Sequence, residues 1–306
     1  MTLTRGPLDA RVRPAEGGVV DSLRVDGRAV LARTPWADAV VPAATPAGSE
    51  ADWVGRWRGG WQLCFPSTGQ PDDAAVTPQG FHGVASQAPW TPVGGGDDHV
   101  RLRWQDADGL LAERLWRLSD DGLEAVTSVV NHGAAGRRIA AAEHLILGGD
   151  VLAPLATGAR LKLAVPPGSM LGPLDLTGRP TGRPTPWPGD PGDGWATLER
   201  ATPARVAAVV GPEGGAADAA GLRRVTVRGP HVQATIAWTG LPHALLWEEV
   251  ATSLEPPWGG AVMALGIEPT TTPHGLGTAA RDGIVDLRPG DRLAWRAALA
   301  VSWVVA

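Results

Sequence analysis

The sequence predicts an all-β protein built as an antiparallel two-layer sandwich, and three observations carry that prediction. Apolar and polar residues alternate with a period of two over many short runs, as in strands with one wet face. Asp-Gly pairs at 26–27, 108–109 and 121–122 break these runs, and Asp-Gly is the chemistry of tight hairpin turns. Glycine (41) and proline (28) are spread between the apolar runs rather than massed, so they mark turns and not disorder.

The elements follow in order. Residues 1–34 form an entry hairpin in which Gly17–Val25 is extended, Asp26-Gly27 turns, and Val30-Leu31-Ala32 returns. Residues 35–54 are rich in alanine and proline and read as irregular. Val100–Trp104, Leu111–Leu118 and Leu123–Asn131 alternate cleanly on either side of Asp-Gly turns and predict a meander. In HGAAGRRIAAAEHLILGGD (132–150) the alanine content hints at helix, but the run is short and bounded by glycine, so a strand through Glu143-His144-Leu145 is expected. Residues 164–195 hold mostly Pro, Gly, Thr and Asp, and predict a long loop over the site or on the surface. Strands are expected again at Arg205–Val210, Leu222–Val227, Val232–Trp238, Ala244–Trp247, Val262–Glu268, Gly283–Leu287 and Arg292–Val305. In the last of these Leu293, Trp295, Ala297, Leu299 and Val301 share a face. Helical signal is weak throughout; the alanine-rich Gly214–Gly221 is bounded by glycine. A dozen or more strands without a helical layer exceed what one open sheet holds, and predict two packed sheets in a single domain over 1–306. No fixed-period repeat supports a propeller.

Composition narrows the function. A net charge of −5 gives no basic surface for nucleic acid. Cys64 is the only cysteine, so no internal disulfide forms, and no two of the seven histidines stand at a metal-ligand spacing. The N-terminal MTLTRGPLDARVRPAEGG lacks a signal-peptide apolar run, and no apolar span reaches membrane length. A soluble cytoplasmic protein is expected, a monomer or homodimer, with no metal, no membrane partner and no nucleic acid.

The chemistry-bearing residues lie in three places. In Gly55–Trp90 the Arg58-Gly59-Gly60-Trp61 turn precedes Leu63-Cys64-Phe65, and His82 stands between Phe81 and Gly83. Arginine, histidine and tryptophan beside glycine turns suit a polyhydroxylated ligand: polar donors meet hydroxyls, and flat apolar faces meet a ring's C–H surface. The same stretch also reads as a hairpin whose histidine satisfies a loop carbonyl. His144 leads into the apolar Leu145-Ile146-Leu147 and is either a half-buried core residue or a general acid. Glu268 ends an apolar strand, and Pro269 restricts it to extended geometry. Burial would raise its pKa and make it a usable base, whereas exposure would leave it an ordinary strand-end glutamate. Glu143, Glu248, Glu249 and Asp150 are further acidic candidates. A serine hydrolase lacks its G-x-S-x-G elbow, while a pair of glycosidase carboxylates from Glu268 and Glu248 or Glu249 stays open.

Three motifs in order resemble the aldose 1-epimerase (galactose mutarotase-like) family: RGGWQLCFP with FHG (58–66, 81–83), Asn131 with Glu143-His144-Leu145 and Leu147-Gly148-Gly149, and Leu265-Gly266-Ile267-Glu268-Pro269. Together they span the chain from about residue 20 to its end. The resemblance implies a large antiparallel β-supersandwich and a sugar substrate. It implies Glu268 as general base, His144 as general acid, His82 as a substrate-binding histidine, and no cofactor. Where the hexose-6-phosphate branch has an arginine soon after its His-Gly, this chain has Ser86 and Gln87. The family's substrate-binding aspartate has no clear counterpart; Leu246-Trp247-Glu248-Glu249 falls in that region, so Trp247, Glu248 and Arg58 are expected to contact the sugar. The alternatives are a non-catalytic carbohydrate-binding protein of the same fold, a hexose-phosphate mutarotase, or a lyase or hydrolase on a similar sandwich.

Overall fold

Alternation along the strands builds two large antiparallel sheets. The computed structural model describes residues 1–42, 46, 48–71, 79–189, 194–200, 202–210 and 221–304. The polar insertion at 72–78, the alanine-rich residues 214–220 and Val305 lie outside the described residues.

The first sheet has 11 strands. In spatial order they are Thr2–Arg5, Leu8–Arg13, Val19–Val25, Trp61–Cys64, Ala142–Leu147, Met263–Thr270, His243–Val250, Arg205–Val210, Met170–Leu174 and Thr185–Pro186, with Arg28–Ala29 on the third. The second has nine: Thr197–Leu198, Leu161–Ala164, Arg223–Arg228, Val232–Thr239, Arg292–Trp303, Gly122–Asn131, Leu110–Leu118, His99–Gln105 and Thr91–Gly95. A small pair, Arg137–Ile139 with Val285–Leu287, stands apart. Among the described residues α-helix is limited to Glu50–Arg56 and Gly149–Ala156, and none of their helices is long and apolar enough to cross a membrane.

The apolar stripes of the two sheets meet in one hydrophobic cluster running from Leu3 to Val301. Trp295, Ala297, Leu299 and Val301 are buried in it from a single face of the last strand, as its alternation predicts. The Asp26-Gly27 turn has both residues at positive φ (53° and 73°), the conformation that matches the right-handed twist of a hairpin.

Three expectations need correction. The hairpin is preceded by two further strands, Thr2–Arg5 and Leu8–Arg13, which pair into the first sheet. Residues 35–54 are not wholly irregular, because Ser49 accepts a hydrogen bond from the Asp52 amide and caps helix Glu50–Arg56. The 164–195 region is not a bare loop: Met170–Leu174 joins the sheet against Arg205–Val210 along five residue pairs.

Candidate active site

Strand register creates the site. Strand Ala142–Leu147 lies between Trp61–Cys64 and Met263–Thr270. Ala142 stands across from Thr270 and Ile146 from Gly266, so the position midway, His144, stands across from Glu268. Directly opposed residues on neighbouring strands project to the same face. The imidazole and the carboxylate therefore meet although 124 residues separate them (268 − 144). His144 Nε2 is 4.0 Å from Glu268 Oε1, and both side chains are buried. The next residue across the sheet from Glu268 is Leu245.

Glycine makes room for the carboxylate. A Cβ at Gly266 would lie 2.6 Å from Glu268 Oε1 and 3.1 Å from Ile146 Cδ1. Trp247, Gly266's partner on the neighbouring strand His243–Val250, also lines the cavity.

His82 arrives from a loop held by a two-bond clasp. Its amide donates to the Gly69 carbonyl at 2.8 Å, and the Gly69 amide donates to its Nδ1 at 2.9 Å. Because Nδ1 accepts, the neutral ring carries its proton on Nε2 and presents a donor there. The residue sits at φ 59°, a left-handed conformation uncommon outside glycine. Such strain persists where neighbouring structure over-determines it, and it clusters at functional sites.

The three groups line one cavity of about 150 Å³. Its walls are aromatic. Helix Glu50–Arg56 and its C-cap supply Trp53 and Trp57, whose rings stack on one side of His144 with centroids 5.5 and 5.7 Å from it. Trp247 and Trp258 continue the wall, each about 6 Å from Trp57. Trp53 also lies edge-on to His82 at 4.5 Å and donates its indole N–H to Ser86 Oγ at 3.0 Å.

This apolar surround sets the electrostatics. Burial lowers the His144 pKa to about 4 and raises that of Glu268 to about 8. Burial, and then the neighbouring His144, holds His82 well below the usual imidazole range. Glu268 accepts no hydrogen bond from the described residues, so nothing offsets its loss of water. Burial thus favours the neutral form of the carboxyl and of both imidazoles near pH 7. Among the described residues no group of three or more His, Cys, Asp or Glu is arranged to hold a metal ion.

No family-level sequence profile and no curated protein matches this chain. Solved structures do. The Slr1438 protein of Synechocystis aligns over 99% of this chain and 95% of its own at 17% identity, with a TM-score of 0.71. A candidate aldose 1-epimerase of Escherichia coli aligns over 99% and 98% at 15% identity and a TM-score of 0.70. A galactose mutarotase-like protein of Lactobacillus casei aligns over 99% of both chains at 15% identity and 0.69. The fold is galactose mutarotase-like.

On this mutarotase-like frame the residues singled out in the sequence separate into two groups. His144, Glu268, His82 and Trp247 line the cavity. Arg58 and Glu248, expected from the sequence to contact the sugar, do not line it. Arg58 turns away into a buried cluster, where Nε donates to Glu16 at 2.6 Å and the other nitrogens reach the carbonyls of Ala37 and Val40. Glu248 follows Trp247 in the strand and so points to the opposite face, where Arg205 Nε donates to it at 2.6 Å. Glu143, neighbour of His144, likewise faces the inter-sheet core and binds Arg114. Asp150 accepts from the Ala29 amide at 2.6 Å, and Glu249 accepts from the Thr252 amide at 2.6 Å; neither lines the cavity.

Trp53 and Trp258 line the cavity but were not singled out in the sequence. The i, i+4 spacing of Trp53 and Trp57 is the signal that could have revealed the first, since it places both rings on one side of a helical turn. The predicted 164–195 loop contributes Leu176, Thr177 and Gly178 to the cavity rim.

Proposed function

We propose that this protein is an aldose 1-epimerase, which interconverts the α and β anomers of an aldose by general acid–base ring opening and closure. The observation that supports this most is the buried His144–Glu268 pair, 4.0 Å apart at the wall of an aromatic cavity. The anomeric hydroxyl and the ring oxygen share C1, so acid and base must act on adjacent oxygens, as two groups at this separation can.

Glu268, as carboxylate, takes the proton from the anomeric hydroxyl. His144, as imidazolium, protonates the ring oxygen while the C1–O5 bond breaks and C1 becomes an aldehyde. Rotation about C1–C2 turns the other face of the carbonyl towards the 5-hydroxyl. On closure His144 recovers its proton from that hydroxyl, and Glu268 returns its proton to the carbonyl oxygen. The pair ends with the single proton it began with. Burial favours that proton on Glu268; the working form places it on His144, where the opposite charges attract at short range in a site of low polarity. His82, with its Nε2–H donor, is suited to bind the ring-oxygen region or a neighbouring hydroxyl. Positioned acid and base groups typically contribute ~10²–10⁴-fold each.

Polarimetry of freshly dissolved α-anomers tests the proposal. The wild-type protein is expected to speed equilibration, and Glu268→Gln to abolish the acceleration while still binding sugar. Wild-type protein that binds sugars yet leaves their mutarotation rate unchanged would be a carbohydrate-binding protein instead.

A further inference from the structure

We propose that the site selects uncharged aldoses with an apolar end remote from C1, such as deoxy or O-methyl sugars, and rejects phosphorylated and carboxylated ones. This rests on the mutarotase reading only for its activity assay, because a binding measurement tests it independently.

The first support is the absence of positive charge. No lysine or arginine lines the cavity among the described residues. Residues 43–45, 47, 72–78, 190–193, 201, 211–220 and 305–306, outside the described set, contain no lysine, arginine or histidine in the sequence. Both histidines of the cavity are held neutral at pH 7 by burial. Arg58, the one arginine expected in the site, is committed to Glu16 on another side of the chain. Arg179, just beyond the lining turn, is exposed and does not line the cavity. The acidic side chains of the lining are the buried Glu268 and the exposed Glu50. A phosphate or carboxylate entering this site would lose water and find no lysine or arginine on the cavity wall to offset that loss.

The second support is the apolar character of the half-buried and exposed side chains Trp247, Trp258 and Leu176 in the lining. Of the polar lining residues, His144, Glu268 and Thr68 are buried and His82 is half-buried. Trp57 packs against His144, and Trp247 and Trp258, both half-buried, pack in turn against Trp57. Leu176, 62% exposed, continues the apolar surface at the rim. Two rim polar groups are already engaged: Gln70 Nε2 with Glu50 at 3.3 Å, and Thr177 Oγ1 with Asp175 at 2.6 Å. A sugar placed with C1 at the buried His144–Glu268 pair therefore presents its far end to indole faces and a leucine, which favour methyl and C–H surface over hydroxyls.

The test uses the whole protein and one aldohexose in five forms: unmodified, 6-deoxy, 6-O-methyl, 6-phosphate and uronic acid. Anomer exchange is followed by polarimetry, and binding by tryptophan fluorescence. The 6-deoxy and 6-O-methyl sugars are expected to match or exceed the parent in kcat/KM and affinity, with the two anionic sugars at least about tenfold below it. Leu176→Arg is expected to narrow the gap between phosphate and parent. Anionic sugars within about threefold of the parent in binding, or no binding of any of the five, would overturn the inference. Binding in the expected order without acceleration would remove the epimerase reading and leave this one standing.

Discussion

At the scale of single residues, the informative fact about Glu268 is that it is unpaired with any donor of the described residues, so its protonation is set by burial alone. In the folded chain its carboxyl titrates at about 8, against 4.5 for the free group. Between those values the folded chain holds a proton that the unfolded chain has released, so stability falls as pH rises through this window and levels off above it. His144 acts in the opposite sense at lower pH. The unfolded imidazole, near 6.5, binds a proton that the folded one refuses until about 4, so stability also falls as pH drops across that range. Glu268→Gln removes only the first of these effects. Its melting temperature is expected to exceed that of the wild type by a margin that grows from about pH 5 to about pH 8. Thermal melts across that range decide the matter, and a margin independent of pH would show that the carboxyl is not held protonated by its surroundings.

At the scale of elements, strand register determines which side chains line the cavity. Gly266 is a positioning residue: it touches no reacting atom, yet a side chain there would displace the Glu268 carboxylate or the Ile146 tip. Its φ is not in the left-handed region, so alanine is compatible with the backbone and the fold should survive. Gly266→Ala is expected to lower kcat by up to about 100-fold, the scale of an ångström's displacement of a catalytic group. The pH profile should shift with it, because a displaced carboxyl changes its exposure. An unchanged kcat and profile would show that the carboxylate has room to spare. The same register explains what the sequence could not show. Consecutive residues of a strand face opposite ways, so Trp247 and Glu248 could not both enter one cavity, and neither could Glu143 and His144. Motif spacing identified the strands; only the pairing of Ala142 with Thr270 and Ile146 with Gly266 determined which of their side chains share a face. Trp258 lies in a connecting turn, which has no periodicity to mark an inward face, and Trp53 had only its i, i+4 spacing to Trp57 within a seven-residue helix.

At the scale of the whole molecule, the two-sheet architecture was legible because turn chemistry and period-two alternation are local, whereas its polar fastening was not. Glu143, Arg114, Trp61 and Trp295 come from four strands of both sheets and meet between them. Glu143 accepts from Arg114 Nη1 and Nη2 at 2.8 and 2.6 Å, from Trp61 Nε1 at 2.7 Å and from Trp295 Nε1 at 2.6 Å. Both charged side chains are wholly buried, and the guanidinium lies 4.0 Å from the centre of the Trp116 ring. A buried pair of this kind adds little over an apolar replacement of the same shape, but removing one partner strands the other charge without water. Glu143→Met is therefore expected to cost about 3–5 kcal/mol, with Arg114 left unpaired between the sheets. Adding Arg114→Met should recover part of that loss even though a second native side chain has gone. The recovery should be incomplete, because the Trp61 and Trp295 indole N–H groups still lack their acceptor. Urea unfolding of the single and double variants measures the difference. A double variant no more stable than Glu143→Met would mean that the stranded guanidinium is not what destabilises the single one, and that the sheets are held by the four-strand hydrogen-bond network rather than by charge balance.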